Sequence, residues 1–155
     1  MNRRAATALL ACLAACPPGA AAISHEERKA SPAEAIAMVT KAVAAIRSQG
    51  REAAYDTISR KDGAFVDRDL YVTVWGMDGT VRAHGLNPTM VGRNLIDLKD
   101  IDGKPFIRER IAQAHVSTAF WQDYQYTHPQ SRRIEPKRMY CQRLDDSVVC
   151  SGVYK

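Results

Sequence analysis

The chain has 155 residues, of which 46% are apolar and 25% are charged, a composition typical of one globular domain with a single core. Beyond the first twenty residues, no stretch approaches the roughly 18 consecutive apolar residues of a membrane span, so we expect a soluble body. The formal net charge is +5, but the longest basic cluster, Arg132-Arg133 with Lys137-Arg138, is smaller than the basic face of a nucleic-acid-binding domain, and we predict no nucleic-acid partner.

The first 22 residues have the order of an export signal. Two arginines near the start are followed by an uncharged stretch, a Pro-Pro-Gly break and three alanines. The alanines are the small residues that a signal peptidase accepts, and the whole order is that of an export signal. We predict a signal peptide over residues 1–22 and a periplasmic or secreted domain over residues 23–155. Cleavage would lower the net charge to +3, because it removes two arginines and no acid.

One motif inside this segment favours a different processing. Leu13-Ala14-Ala15-Cys16 resembles a lipobox, in which the cysteine is lipidated and becomes the new N-terminus. The alternative is therefore an envelope lipoprotein anchored through Cys16, and we expect contact with a membrane only in that case. Both alternatives place the domain outside the cytoplasm.

Two helices are predicted first. Ser31-Pro32-Ala33-Glu34 combines a capping serine, a proline at the first helical position and a glutamate three residues after the cap, which indicates a helix start. The apolar stripe that follows, at spacings of three and four, consists of Ile36, Val39, Val43 and Ile46. Gly50 is placed to end this helix, and a shorter one is predicted from Arg51 to about Arg60.

The apolar period changes to two from Asp69 onward, which indicates a strand. One face carries Leu70, Val72 and Val74, and the other carries Tyr71, Thr73 and Trp75. A turn at 76–79 leads into a second strand, 80–84. A four-residue loop would place Trp75 opposite Thr80 and therefore Tyr71 opposite His84.

The remaining elements complete a mixed domain. A helix is predicted from Pro105 to about Ser117 and a strand over 119–126, followed by a hairpin of strands 138–144 and 147–154. In that hairpin Cys141 lies opposite Cys150, and an oxidising compartment favours a disulfide between them. The predicted fold class is α+β, with a mainly antiparallel sheet and one inserted helix.

Motifs that carry covalent chemistry are missing from the sequence. The four histidines, His25, His84, His115 and His128, include no pair at the spacing of a helical zinc site. The Asp100-x-Asp102-Gly103 segment fails as a calcium loop, because its glycine comes too early and position twelve is Ile111. We therefore predict no catalytic residues, no metal and no cofactor, and an exported binding domain. An enzyme that uses His84 and Tyr71 as an acid–base pair is the weaker alternative.

An ordered series of motifs resembles the single Cache domain of type 2. The motifs are Asp69-Leu70-Tyr71-Val72, Ala83-His84-Gly85-x-Asn87-Pro88, Val91-Gly92-Arg93-Asn94-Leu95, Trp121-x-Asp123-Tyr124, Lys137-x-x-Tyr140 and Gly152-Val153-Tyr154-Lys155. The resemblance covers nearly the whole of residues 23–155. It implies a PAS-like fold, in which a long N-terminal helix packs on a curved antiparallel sheet, and an extracytoplasmic sensor of small organic acids.

The resemblance also implies a pocket for a small carboxylate. Its residues would be Tyr71, His84, Trp121, Tyr124 and Lys137. Lys137 would supply the charge, His84 and Tyr71 directional donors, and Trp121 with Tyr124 an apolar wall.

We expect the signalling output to belong to a separate protein. Because the chain stops at Lys155 with no second membrane segment and no signalling domain, we expect either a free or lipid-anchored binding protein or one that passes its ligand state to a separate partner, such as a membrane-bound signalling protein. The alternative is an interaction protein with no ligand of its own, which docks onto an envelope kinase, chemoreceptor or transporter.

Overall fold

A computed structural model of the protein describes residues 28–155. The predicted signal peptide over residues 1–22 and the lipidation site at Cys16 lie outside the described residues. Within residues 28–155, none of the helices is long and apolar enough to cross a membrane.

Two helices open the fold, as the capping pattern predicts. Helix α1 spans Pro32–Gln49 and helix α2 spans Arg51–Ile58. The Ser31 hydroxyl accepts a hydrogen bond from the backbone N–H of Glu34, while the Glu34 carboxylate accepts one from the backbone N–H of Ser31 at 2.6 Å. This reciprocal pair satisfies two donors that a helix start leaves free, and it lowers the pKa of Glu34 to about 2.

An antiparallel sheet forms the second layer. Its strands are β1 (Val66–Asp67), β2 (Leu70–Gly76), β3 (Val81–His84), β4 (Ala119–Thr127), β5 (Ile134–Leu144) and β6 (Ser147–Tyr154). The order is β1-β2-β6-β5-β4, and β3 also pairs with β2. A 3-10 turn (Pro88–Met90) and helix α3 (Phe106–Val116) are inserted between β3 and β4. The α+β class is therefore confirmed.

Strand β2 is buried on both faces and divides the core into two halves. Val72 and Val74 pack with residues of α1 and α2, whereas Trp75 packs with residues of α3 and β4. The alternation of the sequence predicted these two faces correctly. The half that contains Trp75 holds the candidate site.

The predicted register between β2 and β3 is wrong, by two residues at His84 and by one residue at Trp75. His84 pairs with Thr73 rather than with Tyr71, and an irregularity separates this pairing from that of Trp75 with Val81. Because side chains alternate with a period of two, a shift of two residues keeps each side chain on its predicted face. The rings of Tyr71 and His84 accordingly still stack, with centroids 5.3 Å apart.

The C-terminal hairpin has the predicted register. Cys141 pairs with Cys150 across β5 and β6, and the two form a disulfide with their Cα atoms 4.2 Å apart. Both cysteines are fully buried, so the bridge lies inside the core half that contains Trp75. Strand β5 begins at Ile134, four residues before the predicted start.

Candidate functional site

Aromatic and polar side chains enclose a small cavity between the sheet and helix α3, which we call the inner cavity. Its volume is about 10 Å³, close to the space that one water molecule requires. The residues that line it are Tyr71, Thr73, Trp75, His84, Leu98, Phe106, Arg110, Tyr124, Tyr126 and Met139. Four strands (β2, β3, β4 and β5), helix α3 and the segment before α3 therefore contribute to a single site.

Arg110 is the cation of this cavity. Its side chain is fully buried, and its Nε donates a hydrogen bond to the Gln122 side chain at 3.0 Å. Gln122 in turn donates to the Phe106 carbonyl at 2.8 Å, which fixes its orientation. Neither terminal nitrogen of the Arg110 guanidinium has a hydrogen-bond partner among residues 28–155. Such unpaired buried donors are rare in native structures, because each costs about 1–3 kcal/mol.

Three aromatic rings surround the Arg110 guanidinium. Its central carbon lies 5.4 Å from the ring of Trp75, 5.6 Å from that of Phe106 and 5.3 Å from that of Tyr124. Phe106 and Tyr124 stack with centroids 4.4 Å apart. Aromatic faces attract a cation but accept few directional hydrogen bonds. The Tyr124 hydroxyl is close enough for Arg110 to oppose the rise of the Tyr124 pKa that burial causes. The two terminal nitrogens nevertheless have no hydrogen bond of normal geometry among residues 28–155, so they could hold an oxyanion in a bidentate pair.

His84 is held neutral and contributes a donor. Its Nδ1 accepts hydrogen bonds from the backbone N–H groups of Leu86 and Asn87 at 3.3 and 3.0 Å, so the proton of the neutral ring is on Nε2. Burial, and then the charge of Lys137, lower the pKa of His84 to about 4. At neutral pH the side chain is therefore an N–H donor at the edge of the cavity.

Tyr71 and His84 are stacked rather than edge-to-edge. Their ring planes are inclined by only 22°, and no hydrogen bond joins the two side chains. Burial raises the pKa of the Tyr71 hydroxyl well above its ordinary value. At neutral pH the pair is therefore a neutral phenol stacked on a neutral imidazole.

Lys137 lies directly behind Tyr71. It is fully buried, and its ammonium nitrogen is 3.9 Å from the centroid of the Tyr71 ring. It donates a hydrogen bond to the Tyr154 hydroxyl at 3.3 Å. Burial and the charge of Arg110 lower the pKa of Lys137 well below its ordinary value. Lys137 thus contacts the wall of the inner cavity without lining it.

Trp121 lies on the opposite face of the sheet from the other four predicted residues. It packs against the cluster that contains Ala35 and Leu70 and against the Tyr140 ring at 5.2 Å. The structure does not bring Trp121 and Tyr124 together, because the two residues are three apart on strand β4 and must point to opposite faces. Trp75 and Phe106 occupy that place beside Tyr124.

Sequence reasoning missed Arg110, although the sequence carries a signal for it. The inward face of α3 consists of Phe106, Ile107, Ile111 and Ala114. Arg110 lies four residues after Phe106 and four before Ala114, so it shares that face. A charged residue within an apolar stripe indicates either a misplaced helix or a buried functional group.

Across residues 28–155, no three histidine, cysteine, aspartate or glutamate side chains are placed to hold a metal ion together.

Comparison with known proteins shows similar folds in other proteins. A methyl-accepting chemotaxis protein from Vibrio parahaemolyticus RIMD 2210633 is similar, with 25% identity and a TM-score of 0.68 over 79% of this chain and 86% of that one. The periplasmic sensor domain of a chemotaxis protein shares 24% identity, with a TM-score of 0.60 over 79% of this chain and 88% of that one.

A third similar structure is that of a Cache chemosensory domain that recognises carboxylic acids. It shares 22% identity, with a TM-score of 0.65 over 79% of this chain and 91% of that one. No curated protein matches the sequence significantly. The model of the family called Single Cache domain 2 matches residues 22–155. The chain therefore belongs to the Single Cache domain 2 family of sensor domains.

Proposed function

We propose that the domain binds a small carboxylate in the inner cavity, with Arg110 as its principal partner, and performs no covalent chemistry. The observation that carries the proposal is the buried guanidinium, whose two terminal nitrogens have no partner among residues 28–155. A buried charge without a partner is strongly destabilising. A carboxylate that accepts two parallel hydrogen bonds would offset this cost and fix its own orientation.

The cavity walls fit the same ligand class. Trp75, Phe106 and Tyr124 are apolar neighbours for a short hydrocarbon chain, and the Nε2–H of His84 is a second donor at the cavity edge. Few polar groups in a mainly apolar lining are typical of small-molecule sites. The Cache chemosensory domain that recognises carboxylic acids supports the ligand class, since the two domains share a fold.

Entry of the ligand requires the lining to move. A cavity of about 10 Å³ is too small for even the shortest organic acid. Tyr126 is only partly buried. A solvent-open concavity lies outside the inner cavity, and it is bordered by three of the same rings, Tyr71, His84 and Tyr126. Rotation of interface side chains on binding is common, and we assign Tyr126 as the ring that turns aside.

The location and the partner are parts of the same proposal. A buried disulfide between Cys141 and Cys150 is typical of proteins from oxidising compartments, and one similar sensor domain, that of a chemotaxis protein, is periplasmic. We place the domain in the periplasm or outside the cell, exported through residues 1–22 or anchored at Cys16. The ligand state would then be passed to a membrane-bound signalling protein.

A thermal melt against short monocarboxylates tests the proposal. A ligand at a hundred times its Kd raises the free energy of unfolding by about 2.7 kcal/mol, so binding appears as a clear rise in Tm. Arg110→Met keeps the length of the side chain and removes the guanidinium, and we expect it to abolish the rise. Arg108→Met is the matched control, because Arg108 lies on the exposed face of the same helix and should leave the rise intact.

The second candidate function is an interaction protein without a ligand, and the small volume of the inner cavity favours it. A collapsed pocket would then be the working state, and Arg110 would serve only to order the core. No rise in Tm on addition of any acid of the panel, for the wild type as for Arg110→Met, would support this candidate and refute carboxylate binding, whatever the difference between the two proteins without acid.

A further inference from the structure

A second and larger concavity lies directly outside the inner cavity, and we call it the outer cleft. Its volume is about 380 Å³. The residues that line it are Lys61, Tyr71, His84, Leu86, Asn87, Met90, Tyr126, Thr127, Pro129 and Arg132. Tyr71, His84 and Tyr126 also line the inner cavity, so three rings separate the two compartments.

The rim of the outer cleft carries uncompensated positive charge. Lys61 and Arg132 are both exposed, and neither side chain makes a hydrogen bond or an ion pair within residues 28–155. The lining contains no aspartate or glutamate. Other exposed arginines lie beside an acid, for example Arg108 beside Asp97. A cleft with two free cations and no acid attracts anions.

The backbone holds Arg132 in an unusual conformation. Its φ is +61°, in the left-handed region that favours glycine or asparagine. The surrounding turn is fixed by its own hydrogen bonds: the N–H of Arg132 donates to the His128 carbonyl at 3.0 Å, and the N–H of His128 donates to the Arg133 carbonyl at 2.8 Å. The arginine side chain adds nothing to this network. Arg68 and Asp145 have a similar φ, so this conformation sets the direction of the Arg132 side chain and does not by itself mark a site.

We propose that the outer cleft is a second anion subsite and that the preferred ligand is a dicarboxylate rather than a monocarboxylate. One carboxylate pairs with Arg110 in the inner cavity, and the other lies between Lys61 and Arg132 at the rim. The chain between them passes the rings of Tyr71, His84 and Tyr126. This inference rests on the proposed function, since it assigns the second end of the same ligand.

The expected gain is moderate, because the rim is exposed to solvent. Exposed ion pairs are individually weak and are screened by salt. Two such pairs predict that a dicarboxylate binds about tenfold more tightly than the monocarboxylate of equal chain length. The advantage should shrink in 0.5 M sodium chloride, whereas binding of the monocarboxylate should change little.

Titration calorimetry with matched acids tests this assignment. The probes are straight-chain pairs of equal length: butyrate with succinate, pentanoate with glutarate, and hexanoate with adipate. The rim variant is Lys61→Gln with Arg132→Gln, and its charge-matched control is Arg47→Gln with Lys99→Gln, two exposed positions outside both compartments. We expect the rim variant to lose the preference for the dicarboxylate and to keep the affinity for the monocarboxylate.

Each result separates this inference from the proposed function. Equal affinity for both members of every pair in the wild type overturns the second subsite and leaves carboxylate binding intact. An equal loss of preference in the control variant also overturns it. Failure of both acids to bind refutes the proposed function and the subsite together. Arg132→Gly guards against misfolding, because glycine suits the positive φ: it should retain the Tm and still reduce the preference.

Discussion

Acidification should destabilise this domain through His84. Burial and the charge of Lys137 hold the pKa of His84 at about 4, compared with an ordinary value of 6.5. Between these two values the unfolded chain binds a proton that the folded protein does not, so the free energy of unfolding falls as the pH falls through this window. The shift predicts a loss of roughly 2 kcal/mol between pH 7.5 and pH 5.

Urea unfolding at pH 5, 6 and 7.5 and constant ionic strength measures this loss. His84→Gln removes the titrating group, so its stability should fall less than that of the wild type over the same range. The relevant quantity is the difference between the two slopes, because the substitution also disturbs the hydrogen bonds to Leu86 and Asn87. His115→Gln, at an exposed position of α3, should keep the slope of the wild type. Parallel curves for wild type and His84→Gln would refute the claim that the imidazole is held neutral.

Two further predictions concern the C-terminal hairpin. Cys141→Ala with Cys150→Ala removes a bridge with a sequence separation of 9. Without the bridge the unfolded chain regains conformational entropy, so we expect the free energy of unfolding to fall by about 2.7 kcal/mol in a denaturant titration. An unchanged midpoint would contradict a bridged hairpin. Gly152→Ala places a Cβ 2.6 Å from the Arg138 carbonyl oxygen and 2.8 Å from the Met139 Cα. Because neighbouring backbone cannot move aside, we expect a loss of roughly 1–3 kcal/mol, and a Tm equal to that of the wild type would show that the strands can separate at no cost.

The parts of the fold that could be predicted from sequence depend on local rules. The capping residues Ser31 and Glu34 set the start of α1, and the two-residue turn Asp145-Asp146 set the pairing of β5 with β6. Both signals lie within a few residues of the feature that they determine. The pairing of β2 with β3 was wrong because the irregularity near Trp75 changes the number of residues in the loop without any change in composition.

The candidate site was harder to predict, because burial is decided by distant parts of the chain. Lys137 has the parity of Met139 and Cys141 on β5, and that parity places it inward, but a lysine taken alone is expected at the surface. On α3, the helical spacing places Arg110 on the buried face, whereas an arginine taken alone is also expected at the surface. In both cases the periodicity was the better guide than the residue type. Trp121 shows the same rule, since its parity excludes it from the face of Tyr124.

The two tryptophans of the chain lie on opposite faces of one sheet, which gives the protein two separate optical reporters. Trp75 lies 5.4 Å from the Arg110 guanidinium, so its emission should respond to any charge that neutralises that cation. Trp121 packs with Ala35 of helix α1 and should respond to movement of the helical layer. Single-tryptophan proteins, Trp121→Phe and Trp75→Phe, would therefore let ligand entry and helix displacement be timed independently, without an added dye.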